Sequence, residues 1–269
     1  MIKLIKNHAW ECVKNARLQN RPQTRDFLEE LVEDFFEVKG DRCLGDDEAI
    51  VTGVGRINGT VFTIIGQQKG HTLEDRKACN FGMPSPAGYK KSMRAIGQAE
   101  KFGRPILCLV DTPGAACGFD AEEKGQGTVI AQHLSFIAKV KTPVISVVIG
   151  EGGSGGALAL AISDRLMVMQ NTYFSVISPE GCASILFKDS TKAETAAASL
   201  KLTPTDLHGL GIADFIVDEA DNYSINNMKH SVSIIKDQIE KYLGELNFSD
   251  KNELVQKRYD KMLNLKGFN

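Results

Sequence analysis

Apolar residues recur at Ile2, Ile5, Ala9, Cys12, Val13 and Ala16 with lysine and arginine on the intervening positions, a stripe that predicts a helix over 2–18. Arg21-Pro22 breaks it. Thr24 reads as the N-cap of a second helix, with Phe27, Leu28, Leu31, Val32, Phe35 and Phe36 on one face and Lys39-Gly40 at its end. From Ala49 the period changes. AIVTGVGRI and TVFTIIGQ are β-rich runs on either side of Asn58-Gly59, a hairpin signal. His71–Pro84 reads as a polar loop, and a helix is expected from about Pro86 to Phe102.

The chain then alternates. Strands are expected at Ile106–Asp111 and Val144–Gly150, each apolar on both faces, as strands buried under helices must be. Between them run the loop TPGAACGFDAEEKGQG and a helix through Val129, Ile130, Leu134, Ile137 and Val140. A glycine turn leads into the short helix Ala157–Ser163, followed by strands at Leu166–Met169 and Tyr173–Ile177. Ser178-Pro179-Glu180 and Thr203-Pro204 open further helices. Tyr223–Leu265 is helical and charged, interrupted near Gly244 and Ser249, and reads as an arm for packing or oligomer contact. The class is α/β with repeated β-turn-α units, divided as an N-terminal helix at 1–22, a central domain at 23–220 and a C-terminal helical arm at 221–269.

Composition narrows the function. The 269 residues are 42% hydrophobic and 25% charged, with a formal charge of -2 that gives no global pull toward nucleic acid. No signal peptide and no run of about 18 apolar residues occurs, so a soluble cytoplasmic protein is expected. The six cysteines form no C-x-x-C pair, and the five histidines fall in no metal spacing, so no metal is expected on this chain. No G-x-S-x-G elbow is present either, which argues against a nucleophilic triad.

The densest signal is Gly150-Glu151-Gly152-Gly153-Ser154-Gly155-Gly156. It lacks the Lys-Ser/Thr ending of a nucleotide-binding loop, and two readings remain. The glycines either permit close helix-to-sheet packing or let a ligand reach bare N–H groups at a helix N-terminus. Asn80-Phe81-Gly82-Met83-Pro84 is a second turn of this kind, and Asp111-Thr112-Pro113-Gly114-Ala115 caps a strand where α/β sites commonly form. Lys69, Arg76, Lys77, Lys90, Lys91 and Arg94 crowd around the second turn, as solvated charge or as a positive rim for a phosphorylated cofactor or an acidic carrier.

These turns, in this order, resemble the alpha-subunit family of bacterial acetyl-CoA carboxylase carboxyltransferases. The resemblance runs from about Arg21 to Asp218 through RPQTRDF, GDR, IIGQQKG, NFGMPSPAGYKK, AEKFGRPI, DTPGA, GEGGSGGALAL, SVISPEGCASIL and LKLTPTDL. It implies a crotonase-type (ClpP/crotonase) spiral of ββα units with helical extensions at both ends. It also implies transfer of CO2 from carboxybiotin on a separate carrier protein to acetyl-CoA, giving malonyl-CoA for fatty-acid synthesis. Related acyl-CoA carboxyltransferases for propionyl-CoA would use the same turns.

The implied partners are a zinc-bearing beta subunit in a heterotetramer of two alpha and two beta chains, the biotin carboxyl carrier protein, and biotin carboxylase in the full complex. Carried onto this chain, Gly155 and Gly156 supply N–H donors for one oxyanion, with Gly152 and Gly153 shaping the turn. Gly82 and Met83 supply the other pair, while Gly114, Ala115, Lys90 and Arg94 line the substrate. No side-chain acid or base is implied, and Ala157–Ser163 lacks the carboxylate of crotonase-type hydratases. Ala116-Cys117-Gly118 stands where Tyr-Pro-Gly is expected, and Gln67 where histidine is common.

Overall fold

Asn58 and Gly59 both hold positive φ, 46° and 77°, the backbone a two-residue hairpin needs. They join β2 (Ile50–Ile57) to β3 (Thr60–Gln67) in antiparallel register, Ile57 opposite Thr60. The computed structural model describes residues 2–246 and 250–265. Ahead of the hairpin lie α1 (Ile2–Ala16), α2 (Thr24–Leu31) and β1 (Glu33–Glu37). After it come α3 (Leu73–Ala78), α4 (Pro86–Phe102), β4 (Ile106–Thr112), α5 (Phe119–Glu123), α6 (Gln126–Lys139) and β5 (Val144–Gly153). The chain continues through α7 (Ser154–Ala161), β6 (Arg165–Met169), β7 (Tyr173–Ser175), α8 (Pro179–Phe187), α9 (Ala193–Ser199) and α10 (Pro204–Gly209). It closes with β8 (Phe215–Val217), α11 (Lys229–Glu245) and α12 (Lys251–Leu263).

The strands form one mixed sheet in the order β1-β2-β3-β4-β5-β6-β8, antiparallel as far as β3 and parallel beyond. Alternation along β4 builds a core on each face. Leu107 and Leu109 point to the layer of α2 and α11, while Ile106, Cys108 and Val110 join the residues of α4, α6 and α7. β5 pairs with β6 over Ile145–Val148 and then with β7 over Glu151–Gly153, so one strand serves two partners on the same edge.

Several expectations are corrected. The second helix stops at Leu31, and its N-cap is Gln23, whose N–H donates to Asp26 Oδ2 at 2.7 Å. Thr24 instead donates its hydroxyl to the Gln67 carbonyl at 2.6 Å. Val32 is extended, Asp34 is left-handed, and the following phenylalanines enter strand β1. Pairing with β2 overrides the helical period because Gly53 leaves room for the Phe35 ring, which lies 2.4 Å from where a Cβ would stand. Phe36, expected inside, is 71% exposed.

The polar loop at 71–84 contains α3, started by a Thr72–Asp75 capping box. The expected glycine turn is strand as far as Gly153, so helix α7 begins three residues earlier than Ala157. The short helices α5 and α9 and strand β8 were not legible from periodicity. The expected interruption of the C-terminal arm is present, with α11 ending at Glu245, one residue past Gly244, and α12 starting at Lys251; Ser249 itself falls outside the described residues.

Both terminal segments are fastened to the sheet. In α1, Ala9, Val13 and Ala16 pack with Tyr173, Ala197 and Leu202, while the side chains of Ile2 and Ile5 lie outside those described. Arg21 donates to the Ile149 carbonyl at 2.7 Å and pairs with Glu219. In α12, Arg258 is buried against the carbonyls of Ile137, Val140 and Thr142.

Candidate active site

The ladder between β4 and β5 breaks near its C-terminal end. Val110 faces Val148, but Thr112 faces Gly152, so β5 spends two more residues than β4 over the same span. The Asp111 carboxylate takes over where the backbone pairing lapses, accepting the Glu151 N–H at 2.8 Å. Gly150 makes room for it, since a Cβ there would lie 2.2 Å from Asp111 Oδ1. The displaced strand then turns into α7 through Ser154, which holds a left-handed φ of 55°.

At the start of α7 no side chain caps the helix, so the N–H groups of Ser154, Gly155 and Gly156 have no intrahelical acceptor. Ser154 is exposed, Gly155 half-buried and Gly156 buried. Two other backbone segments, the 113–115 loop and β7, close on this turn. A Cβ on Gly156 would lie 2.5 Å from the Ala115 nitrogen, one on Gly153 2.1 Å from the Pro113 oxygen, and one on Gly152 2.8 Å from the Tyr173 oxygen. Gly155 is different, because a Cβ there meets only Ile130 at 3.6 Å. Close packing therefore requires glycine at 152, 153 and 156 but not at 155, whose N–H lies in the uncapped first turn of α7.

Gly82 and Met83 are tied to the neighbouring strand end through Thr112, whose single hydroxyl proton lies within reach of two carbonyls, that of Gly82 at 2.6 Å and that of Gly114 at 2.7 Å from Oγ1. Their own N–H groups are spent within the turn, Gly82 donating to the Cys79 carbonyl and Met83 to that of Asn80, at 2.8 and 3.0 Å. The expected second donor pair is thus engaged, a correction that follows from the 3-10 geometry of residues 80–82. Asn80 and Phe81 both take positive φ, leaving the Phe81 side chain 49% exposed at the mouth of a neighbouring cavity.

The positive rim does not form as expected. Arg94 donates to the carbonyls of Lys39 and Gly40, and buried Lys91 pairs with Asp46 at 2.6 Å. Lys90 is half-buried on α4 and makes no ion pair among the described residues, and Lys77 is exposed. Lys69 points inward between Asp111 and Glu151, at 2.5 and 2.9 Å.

That inward lysine belongs to a network the sequence reading missed. Arg17 Nε and the Tyr173 hydroxyl each reach Glu151 at 2.7 Å, and Arg17 also pairs with Glu180. Burial alone would raise the Glu151 pKa, but Lys69 and Arg17 outweigh it and hold the carboxyl at about 2. Burial likewise opposes the Lys69 charge, yet the two carboxylates win and keep the ammonium above its ordinary value. At Asp111 burial prevails over Lys69, and its pKa is raised. A residue such as Glu151, ionised and bonded on both oxygens, has no basicity to spare for chemistry. Its only sequence signal was position: charges at the ends of β3, β4 and β5 meet where α/β sheets gather ligands.

The acetyl co-enzyme A carboxylase carboxyltransferase-like family model matches residues 4–266. The chain belongs to this family. An acetyl-coenzyme A carboxylase carboxyl transferase subunit alpha from Clostridium perfringens is 48% identical over 257 residues, covering 96% of this chain and 95% of that protein. The subunit from Clostridium acetobutylicum is 46% identical over 252 residues, covering 94% and 92%. A Clostridium tetani protein named as subunits beta/alpha is 47% identical over 253 residues, and this chain spans 44% of its length.

Among solved structures, transcarboxylase 12S with methylmalonyl-coenzyme A bound aligns at a TM-score of 0.69 and 20% identity, over 86% of this chain and 44% of that one. The beta subunit of Pseudomonas aeruginosa geranyl-CoA carboxylase aligns at 0.64 and 17% identity, over 93% and 44%. The family fold is therefore the crotonase-type one the motifs implied. Among the described residues no group of three or more His, Cys, Asp or Glu is placed to hold a metal, and no helix is long and apolar enough to cross a membrane.

Proposed function

We propose that this chain is the alpha subunit of an acetyl-CoA carboxylase carboxyltransferase, moving CO2 from carboxybiotin on a carrier protein to acetyl-CoA to give malonyl-CoA. The observation that carries the reading, beside family membership, is the uncapped first turn of α7, walled by Gly114, Ala115 and Gly82. Carboxybiotin, when bound, supplies the carboxyl group and the base that its loss exposes. The residues of this chain bind, orient and neutralise charge.

Gly155 and Gly156 would donate their N–H groups to the oxyanion that develops on the ureido oxygen, each donor contributing about 3–4 kcal/mol. The helix dipole of α7 adds to this in the same direction. Gly152, Gly153, Gly114 and Ala115 hold the turn in place. Met83 and Gly82 act as a wall rather than as donors, since their N–H groups are already bonded. Lys90, a half-buried cation on α4, is our candidate for attracting an acidic carrier or a CoA phosphate, whereas Arg94 anchors the 39–40 backbone.

The donor turn begins at exposed Ser154 and half-buried Gly155, and the fused Clostridium tetani relative supports a beta partner that completes the site. We place zinc on that partner, the biotin carboxyl carrier protein and biotin carboxylase in the wider complex, and the assembly in the cytoplasm. Co-purification with a beta subunit, followed by malonyl-CoA formation from carboxybiotin, tests the assignment. Activity is expected only in the complex; turnover by this chain alone, or no association with the partner, would sink it.

A further inference from the structure

Gln67 ends β3 with its side chain fully enclosed, and its carboxamide bonds in two opposite senses. Oε1 accepts the Asp111 N–H at 3.0 Å, and Nε2 donates to the Gly156 carbonyl at 2.8 Å. A carboxamide offers both functions in one rigid neutral group, and the two bonds together dictate which way it faces. Its reach joins the end of β4, where the β4–β5 ladder slips, to the first turn of α7. The Tyr89 hydroxyl adds a longer bond to the same Gly156 carbonyl, at 3.3 Å. Having no side chain, Gly156 contributes nothing to its own orientation, and Gln67 makes the shorter of these two contacts. Gln67 reaches no open surface, so it acts only through the turn.

We infer that Gln67 is a positioning residue for carboxyl transfer: its donor-acceptor bridge from Asp111 N to Gly156 O sets the roll of the first turn of α7 and aims the Gly155 and Gly156 N–H groups. The inference rests on the donor assignment proposed above. Misplacement of catalytic donors by about 1 Å can cost on the order of a hundredfold in rate, so loss of this bridge is read in kcat.

The test uses the complex with a beta subunit and follows biotin-dependent malonyl-CoA decarboxylation. Gln67→Met removes both bonds; kcat is expected to fall about tenfold or more while KM for malonyl-CoA stays within about twofold. In Gln67→Glu the ionised carboxylate can only accept, but the protonated acid again donates and accepts. Burial favours the neutral acid, so the kcat of Gln67→Glu relative to the parent should rise about tenfold from pH 9 to pH 6, with Gln67→Met flat across that range.

A merely structural Gln67 would lower thermal stability and leave both the kcat of the assembled complex and the pH ratio unchanged. Parental kcat in Gln67→Met, or a flat ratio for Gln67→Glu, overturns the inference. Should Gln67→Met fail to assemble, the Gln67→Glu ratio decides alone. A parent complex without carboxyl transfer defeats the functional reading and this inference with it; an active parent with indifferent Gln67 variants defeats only the inference.

Discussion

Gly156 stands against Ala115 so closely that a Cβ on the first would lie 2.5 Å from the backbone nitrogen of the second. Backbone cannot swing aside as a side-chain tip can, so any larger residue must push the 113–115 loop and α7 apart. Gly156→Ala is expected to lose about 1–3 kcal/mol of stability and most of the turnover of the complex. Gly155→Ala, whose new methyl meets only Ile130 at 3.6 Å, should leave both near the parent values. Thermal unfolding and turnover of the two variants side by side check the asymmetry.

The donor role of Gly155 separates from its size. Gly155→Pro deletes the N–H, and a proline is tolerated in the first turn of a helix, where no intrahelical bond is lost. Turnover of the complex is expected to fall by about a hundredfold to a thousandfold. A Gly155→Pro complex that assembles and turns over like Gly155→Ala would show that the amide takes no part.

Arg258 carries the C-terminal arm. Its guanidinium meets Asp164 at 2.7 and 2.9 Å, with the two side chains 1% and 3% exposed. Arg258→Ala leaves the buried Asp164 carboxylate without its counter-charge, holding only the Val144 N–H, a loss of about 3–5 kcal/mol. Urea unfolding should show it, and residual activity at low temperature should stay high, because the pair lies at the N-terminal end of β5, away from the glycine turn.

His133 makes stability depend on pH. Its Nε2 lies 2.8 Å from Ser92 Oγ in the α4–α6 contact, fully enclosed, and burial pulls its pKa down to about 4 from 6.5. The folded chain then binds fewer protons than the unfolded chain between these values, so stability falls as pH drops from about 6.5 and levels off below about 4. The full effect is on the order of 3 kcal/mol. Glu151, held at about 2 against 4.5, extends the loss to lower pH with the same sign. Urea midpoints at pH 7, 5.5 and 4.5 for the parent and His133→Gln should converge as the pH falls; parallel curves would rule out the histidine as the source.

Local chemistry determined much of the chain. The Asn58-Gly59 hairpin, α4 from Pro86 to Phe102 and the two doubly buried strands follow from turn residues, proline at a helix start and unbroken apolar runs. The motifs determined the family, because a run such as GEGGSGGALAL preserves backbone shape together with composition. Where the sequence reading failed, a distant partner had changed the local preference. Phe35 and Phe36 continue a helical stripe until Gly53 opens a place on β2, and the glycines of 150–153 look like a turn until β7 pairs with them.

Only the tertiary structure decided the site. Which N–H groups are free depends on bonds the sequence does not reveal: those of Gly82 and Met83 are consumed by their own turn, whereas the first turn of α7 has no cap. The basic residues crowd together in sequence, yet Lys69 turns inward to two carboxylates from other strands and Arg94 to backbone carbonyls. The physical reason is common to both. Hydrogen-bond satisfaction and charge pairing are settled by neighbours far away along the chain, and periodicity carries no information about them.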